Sequence, residues 1–283
     1  MGNSSDQNSP KAALENQLDQ EPQYHAPNYR GANKLREKVA LVTGGDSGIG
    51  RAIAVLFARE GADVAIVYLP AEQKDAEVTR QAVKAEGQEA LLLAGDLTDP
   101  SFCREIVDRT VEQFGRLDIV VNNAGFQSQA KNIVELSDEQ WERTFQTNIH
   151  SFFRVSKAAL PHLKPGSSII NTGSTTGLDG NPDLLDYSAT KGAIHSFTKS
   201  LAANLADKHI RVNCVVPGPV WTALNPADQD PEEIKNFGKD TPFKRPAQPE
   251  EIAPCYVFLA SEADSSFISG ELITITAGST STG

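Results

Sequence analysis

Seven short apolar runs recur along the chain, each separated from the next by a stretch long enough for a helix. They are Lys38–Thr43, Asp63–Tyr68, Ala90–Ala94, Ile119–Asn122, Ser168–Thr172, Arg211–Val216 and Leu272–Thr276. Several are nearly continuous, as in Val-Ala-Leu-Val from Val39 and Val-Ala-Ile-Val from Val64. A strand covered on one face alternates apolar and polar residues, whereas a strand covered on both faces does not. The runs therefore predict strands sandwiched between helices, and strand–helix alternation of this kind makes a parallel sheet. Right-handed crossovers wind such a sheet in both directions, with ligands beyond the carboxyl ends of the strands. The expected fold is α/β, a single-domain, doubly wound parallel sheet of seven strands.

The segments between the runs carry helix-start signals. Asp99-Pro100 sets an N-cap before a first-turn proline. Ser137 and Gln140 fit a capping box, and Leu136 with Trp141 fits a hydrophobic staple that makes Trp141 a core residue. Pro249-Glu250-Glu251 opens a further helix. Apolar residues make up 39% of the 283, enough for a large core. The net charge of −11 argues against a nucleic-acid surface, since no Lys/Arg cluster offsets it. Cys103, Cys214 and Cys255 lie far apart, with no Cys-x-x-Cys pair, so they read as reduced, buried thiols with no metal site. No apolar run approaches the ~18 residues of a membrane span, and the N-terminus lacks a signal-peptide core, so a cytoplasmic location is expected. Residues 1–35 are rich in Asn, Gln, Ser and Pro and read as a tail that is disordered or wraps the surface, with Tyr24 and Tyr29 as anchors. Residues 36–283 read as one folded domain, with 221–245, rich in Pro and Asp, as a candidate lid segment.

Thr43-Gly44-Gly45-Asp46-Ser47-Gly48-Ile49-Gly50 follows the first strand and opens the helix Ile49–Glu60. One glycine permits the tight turn, another lets the backbone approach a pyrophosphate, and a third lets helix and strand pack closely. The helix N-terminus offers unpaired N–H groups to the phosphates. The pattern is that of a Rossmann-type nucleotide site. Asp96-Leu97, ending the third strand, is placed to meet an adenine amino group. Asn122-Asn123-Ala124-Gly125, ending the fourth, lets the backbone pass close to ribose and nicotinamide.

Tyr187 and Lys191 stand four apart in a helical stretch, on one face. A phenol titrates near ~10, and a nearby ammonium lowers that value, so the pair is expected to act as acid or base on an alcohol proton. Tyr-x-x-x-Lys alone has low specificity. Ser174 follows the fifth strand and can hold a substrate oxygen near Tyr187. Asn148 sits inside a long helix, where Asn is unfavourable, which suggests a water-holding or kinking role. Asp179, Asp183 and Asp186 either hydrogen-bond a polyol or are solvated loop charges. None of the five histidines shows metal-ligand spacing.

Thr43 to Gly50, Asn122 to Gly125, Asn148, Ser174, Tyr187 with Lys191, and Pro217-Gly218 together resemble the short-chain dehydrogenase/reductase family, in the family's order, over about Leu35 to Gly278. Tyr68-Leu69-Pro70-Ala71-Glu72 and the polar N-terminal extension are similar to the glucose and ribitol dehydrogenase branch. The resemblance implies strand order 3-2-1-4-5-6-7 and hydride transfer between NAD(P) and an alcohol or carbonyl carbon of a sugar, polyol or small aldehyde or ketone. It implies that Asn148, Ser174, Tyr187 and Lys191 are catalytic, with Lys191 also on the nicotinamide ribose and Asn148 on a relay water. Pro217, Gly218, Val220 and Thr222 would bracket the carboxamide. A homotetramer is implied as well. Ile275-Thr276-Ala277-Gly278 departs from the Asp-Gly-Gly-like end of many relatives. The competing reading is a nucleotide sensor or scaffold without chemistry, against which the complete tetrad argues.

The second strand ends Val67-Tyr68-Leu69-Pro70, without the carboxylate that would hold the adenosine ribose of NAD and repel a 2′-phosphate. Either cofactor is expected, with a slight lean to NADP. Ser47, not a basic residue, precedes Gly48. Arg51 and Lys74 are the nearest cations, and Glu72 and Asp75 oppose them.

Overall fold

The structure, a computed structural model, describes Glu15, Leu18 and residues 20–224 and 235–279. Each apolar run forms a strand: β1 Val39–Thr43, β2 Asp63–Tyr68, β3 Ala90–Ala94, β4 Ile119–Asn122, β5 Ser168–Thr172, β6 Arg211–Pro217 and β7 Leu272–Ile275. All six pairings are parallel, in the order β3-β2-β1-β4-β5-β6-β7, as expected.

The unbroken apolar runs have the expected cause. Successive residues of a strand face opposite sides, and both sides are covered. Ala40 and Val42 of β1 with Val64 and Ile66 of β2 enter one core, with Phe57, Tyr256 and Leu259. Leu41, Ala65 and Val67 enter the other, with Ile106, Val155 and Ile169. The edge strands β3 and β7 are only partly buried.

The helices are α1 Gly48–Arg59, α2 Gln73–Ala85, α3 Pro100–Phe114, α4 Asp138–Phe145, α5 Ser151–Ala159, α6 Thr176–Asp179, α7 Leu185–Asn204, α8 Pro249–Ala260 and α9 Glu262–Ser265. Asp99 caps α3 by accepting from the Ser101 N–H at 2.7 Å. Ser137 caps α4 by accepting from the Gln140 N–H at 3.1 Å. The reciprocal half of that capping box does not form. The Gln140 amide reaches instead to the Ser128 carbonyl at 3.0 Å and Asp186 at 3.2 Å. Trp141 is not core: it is 38% exposed and stacks on Phe145 at 4.8 Å. Between α4 and α5 the chain makes a π-helical turn, Gln146–His150, with buried Asn148 at its centre.

The described part of the N-terminal tail lies on the surface of the domain. Buried Glu60, at the end of α1, accepts from the Tyr29 hydroxyl (2.5 Å) and from the Ala32 (2.8 Å) and Lys34 (2.9 Å) N–H groups. Gln23 and Ala26 bond to Gln248 and Glu250 at the start of α8. Among the described residues no helix is long and apolar enough to cross a membrane.

Candidate functional site

A cavity of about 1180 Å³ opens at the carboxyl ends of the strands. Single small-molecule sites run to ~300–1,000 Å³, so it has room for two ligands side by side. One end is the glycine loop. Gly44 takes φ +60° and Gly48 φ +50°, a region open to glycine. A Cβ on Gly50 would lie 1.8 Å from the Gly44 carbonyl oxygen, so only glycine lets α1 begin this close to the turn. The cradle fits a group that approaches backbone amides, as a pyrophosphate does.

Every residue singled out as cofactor-binding lines this cavity except Gly50, which lies beneath it: Gly44, Asp46, Ser47, Gly48, Ile49, Tyr68, Leu69, Asp96, Leu97, Asn123, Ala124, Gly125, Tyr187, Lys191, Pro217, Gly218, Val220 and Thr222. Asn123 ties the halves together. Its amide donates to the carbonyls of Thr43 and Gly44, both at 3.1 Å, and its oxygen accepts from Thr172 at 3.2 Å. The exposed Asp96 accepts from the Thr98 N–H at 2.8 Å. Burial, and then the charge of Glu72, hold the Asp46 carboxyl up at about 7.

Neither expected cation faces this end. Arg51 is buried, in ion pairs with Glu15 and Asp75. Lys74 is exposed and is not among the lining residues. Of the four acids and bases weighed there, only Glu72 lines the cavity.

The other end holds Ser174, Tyr187 and Lys191. Both α7 residues are buried on one face, and Lys191 Nζ lies 5.2 Å from the Tyr187 ring. Nζ donates to the Thr172 carbonyl at 2.8 Å. The phenol is not lowered here. Burial pushes Tyr187 up to about 12, with Ser174 pulling the other way by a hydrogen bond. Burial lowers Lys191 to about 8. Desolvation therefore governs the phenol, and the ammonium expected to lower it is directed at the Thr172 carbonyl instead. His195, behind Lys191, is held down to about 4 by burial and then by Lys191.

Asn148 does not line the cavity. Its oxygen accepts from the Phe126 N–H at 2.7 Å, and its amide donates to the Phe126 carbonyl at 2.9 Å and to Thr190 at 3.1 Å. Thr190 donates to the Tyr187 carbonyl at 2.7 Å, so Asn148 is linked to the α7 backbone. Of the three acids before Tyr187, Asp179 is exposed, Asp183 lines the cavity, and Asp186 is fully buried. Asp186 is neither a loop charge nor a polyol ligand, as it accepts from Thr144 at 2.5 Å and from the Tyr187 N–H at 2.8 Å.

Gln127, Ser128, Gln140, Arg143 and Asn181 also line this end and were not expected as site residues from the sequence. The guanidinium of Arg143 lies 5.0 Å from the Phe126 ring. These residues belong to segments without a site motif, and the one signal that could have found them is that such segments lie beyond the strands' carboxyl ends. Of the expected lid, Thr222, Ala223, Leu224, Asn236, Phe237, Gly238 and Asp240 line the cavity, and residues 225–234 lie outside the described residues. Among the described residues no three His, Cys, Asp or Glu converge as metal ligands.

Over residues 44–280 the chain matches the family model described as enoyl-(acyl carrier protein) reductase. NADPH-dependent aldehyde reductase 1 (chloroplastic) of Arabidopsis thaliana is 48% identical over 264 residues, 92% of this chain and 92% of that protein. Glucose and ribitol dehydrogenase of Daucus carota is 48% identical over 264 residues, 92% of this chain and 90% of that protein. A short chain dehydrogenase from Burkholderia cenocepacia J2315, solved in complex with NADP, superposes with a TM-score of 0.80 at 34% identity, covering 87% of this chain and 98% of that one.

Proposed function

This chain belongs to the short-chain dehydrogenase/reductase family and transfers a hydride between NAD(P) and an alcohol or carbonyl carbon; from that premise we propose that it is an NADP-leaning reductase of small, hydroxyl-rich aldehydes or sugars. The observation that carries this reading is a single cavity with a phosphate cradle at one end and Ser174, Tyr187 and Lys191 at the other. The dinucleotide, when bound, supplies the hydride. Ser174 holds the substrate oxygen against the Tyr187 hydroxyl. Tyr187, with its pKa pushed up to about 12, carries its proton at neutral pH and donates it to the carbonyl oxygen. Lys191 serves as a cation beside Tyr187 and as a donor to ribose hydroxyls. Asn148 holds the Phe126 backbone and Thr190, which keeps the relay end of the site in register.

The substrate class is supported by the polar lining, in which Gln127, Ser128, Gln140, Arg143, Asn181 and Asp183 offer many donors and acceptors. Small hydroxylated carbonyls satisfy such groups, and an alkyl chain leaves them unpaired. The lean to NADP is supported by a β2 end without a carboxylate and by the NADPH and NADP in the names of two similar proteins. Asp46 and Glu72 keep it slight. Residues 221–245 act as the lid, and the protein works as a homotetramer in the cytoplasm, where Cys103 and Cys214 stay as buried free thiols. The test is kcat/KM with NADPH and NADH on one aldehyde. A small preference for NADPH is expected; a preference for NADH overturns the lean, and one above ~1000-fold, about 4 kcal/mol, means that an acidic group such as Glu72 reaches the ribose.

A further inference from the structure

The N-terminal arm meets the glycine loop at Arg51, outside the cavity and away from the tetrad. Arg51 lies in the first turn of α1 and is 4% exposed. Its Nε donates to the Asp46 carbonyl at 3.0 Å and to Thr79 at 2.9 Å. Nη2 pairs with Asp75 at 3.7 Å. The remaining partners come from the arm. The Glu15 carboxylate pairs with Nη1, and the guanidinium lies 5.0 Å from the Tyr24 ring.

Glu15, itself 3% exposed, does a second thing with the same carboxylate. It accepts from the Gly48 N–H at 2.5 Å, while its own N–H donates to Asp75 at 3.1 Å. Gly48 N–H is the first amide of α1, and the helix's own N-cap, Ser47, makes no side-chain capping bond. A buried amide of this kind needs an acceptor, and a negative charge suits a helix N-terminus. A residue 33 positions upstream supplies both.

The loop itself does not meet this need. With Gly44 and Gly48 both at positive φ, its backbone has wide freedom to lose, and no side chain of the loop caps α1. Farther along, the arm also reaches the start of the lid segment, where the Trp221 indole donates to the Gln20 carbonyl at 2.8 Å. Arg51 is consumed by these contacts, so it is a structural cation between loop, α2 and arm, and not a ligand of the 2′-phosphate.

We propose that Glu15 is a positioning residue of the cofactor site: the arm caps α1 and clamps Arg51, and so holds the glycine loop in the shape that receives the dinucleotide's phosphates. The proposal rests on the NAD(P)-dependent function above. It makes the arm a determinant of cofactor affinity that leaves the hydride and proton steps alone.

The experiment uses full-length Glu15→Gln, an isosteric change that removes only the charge, with Glu15→Ala beside it. NADPH affinity is titrated by its fluorescence, steady-state constants are measured with one aldehyde, and amide exchange across residues 44–50 is followed without cofactor. The expected result is a Kd and KM for NADPH raised ~10-fold, the scale of one lost charge-assisted hydrogen bond. The kcat at saturating NADPH stays within ~2-fold, and exchange at Gly48 and its neighbours quickens. A lowered melting temperature with unchanged Kd and unchanged exchange overturns the proposal, since Glu15 would then only stabilise the fold. Tighter NADPH binding in Glu15→Gln also overturns it, because the carboxylate would then be repelling phosphate. If the parent protein binds neither NADPH nor NADH, the functional reading fails by itself, and the cofactor-free exchange still decides whether Glu15 holds the loop.

Discussion

Tyr187 and Lys191 are buried together, and their burial moves the two groups in opposite directions, the phenol up to about 12 and the ammonium down to about 8. Each becomes less willing to carry charge, the usual effect of desolvation. At neutral pH the pair is therefore a protonated acid beside a cation, suited to delivering a proton to a carbonyl oxygen. Tyr187→Phe keeps the ring and removes that proton, so turnover should fall at least ~100-fold with NADPH still bound. Near-normal turnover would exclude Tyr187 as the acid. Reduction should also slow as pH rises past about 8, where Lys191 loses its charge. Lys191 has a cost in stability. Its folded pKa lies below the unfolded 10.5, so the folded state binds fewer protons between about 8 and 10.5 and stability rises with pH across that window. Below about 8 the penalty is carried in full. Lys191→Met should be inactive yet more stable at pH 7 by roughly 1–3 kcal/mol, after losing the bond to the Thr172 carbonyl. That margin should shrink from pH 8 to 10.5 in thermal melts, and a margin that grows would refute the assignment.

At the scale of elements, α1 is held at both ends by the arm that precedes β1. Its first amide goes to Glu15 and its last turn to the segment around Tyr29 through Glu60. Glu60 is fully buried and accepts three donors, at 2.5, 2.8 and 2.9 Å. Glu60→Ala strands all three, and stability should drop by about 2–4 kcal/mol. Urea unfolding is the check: the midpoint should fall, and an unchanged midpoint would mean that water replaces the carboxylate without loss. The α4–π–α5 stretch shows a second element effect. The π-helical turn puts Asn148 beneath the β4–α4 connection, where it bonds both polar groups of the Phe126 backbone. An Asn that is poor for a regular helix is well placed in a turn whose ladder is already interrupted.

For the whole molecule, the described surface keeps several large apolar side chains exposed, among them Trp141 on α4, Phe153 on α5 and Leu178 on α6. The proposed homotetramer would cover side chains such as these where they adjoin a second copy. A homotetramer should give a light-scattering mass near four times 30.5 kDa, and Phe153→Asp should shift it to smaller species. A monomer at micromolar concentration would overturn the assembly.

The strands, their parallel pairing and the glycine loop were legible from local rules, because a doubly covered strand and a positive-φ turn restrict which residues can occupy them, whereas the strand order came from the family resemblance. The placing of Ser174, Tyr187 and Lys191 at one end of the cavity was legible because it is tied to those elements: Ser174 follows β5, and Tyr187 and Lys191 share one helix face; their catalytic roles came from the family resemblance and are the proposal tested above. What the sequence by itself could not determine is which partner covers a side chain, since that partner is remote in the chain. Arg51 reads as a free cation until Glu15, 36 positions away, is placed against it. Asp186 reads as a loop charge until Thr144, 42 positions away, turns toward it. Trp141 reads as core until α4 packs with that ring outward. The protonation of Tyr187 belongs to the same class, because it is set by how much of the fold closes over the phenol, which no spacing of Tyr and Lys encodes.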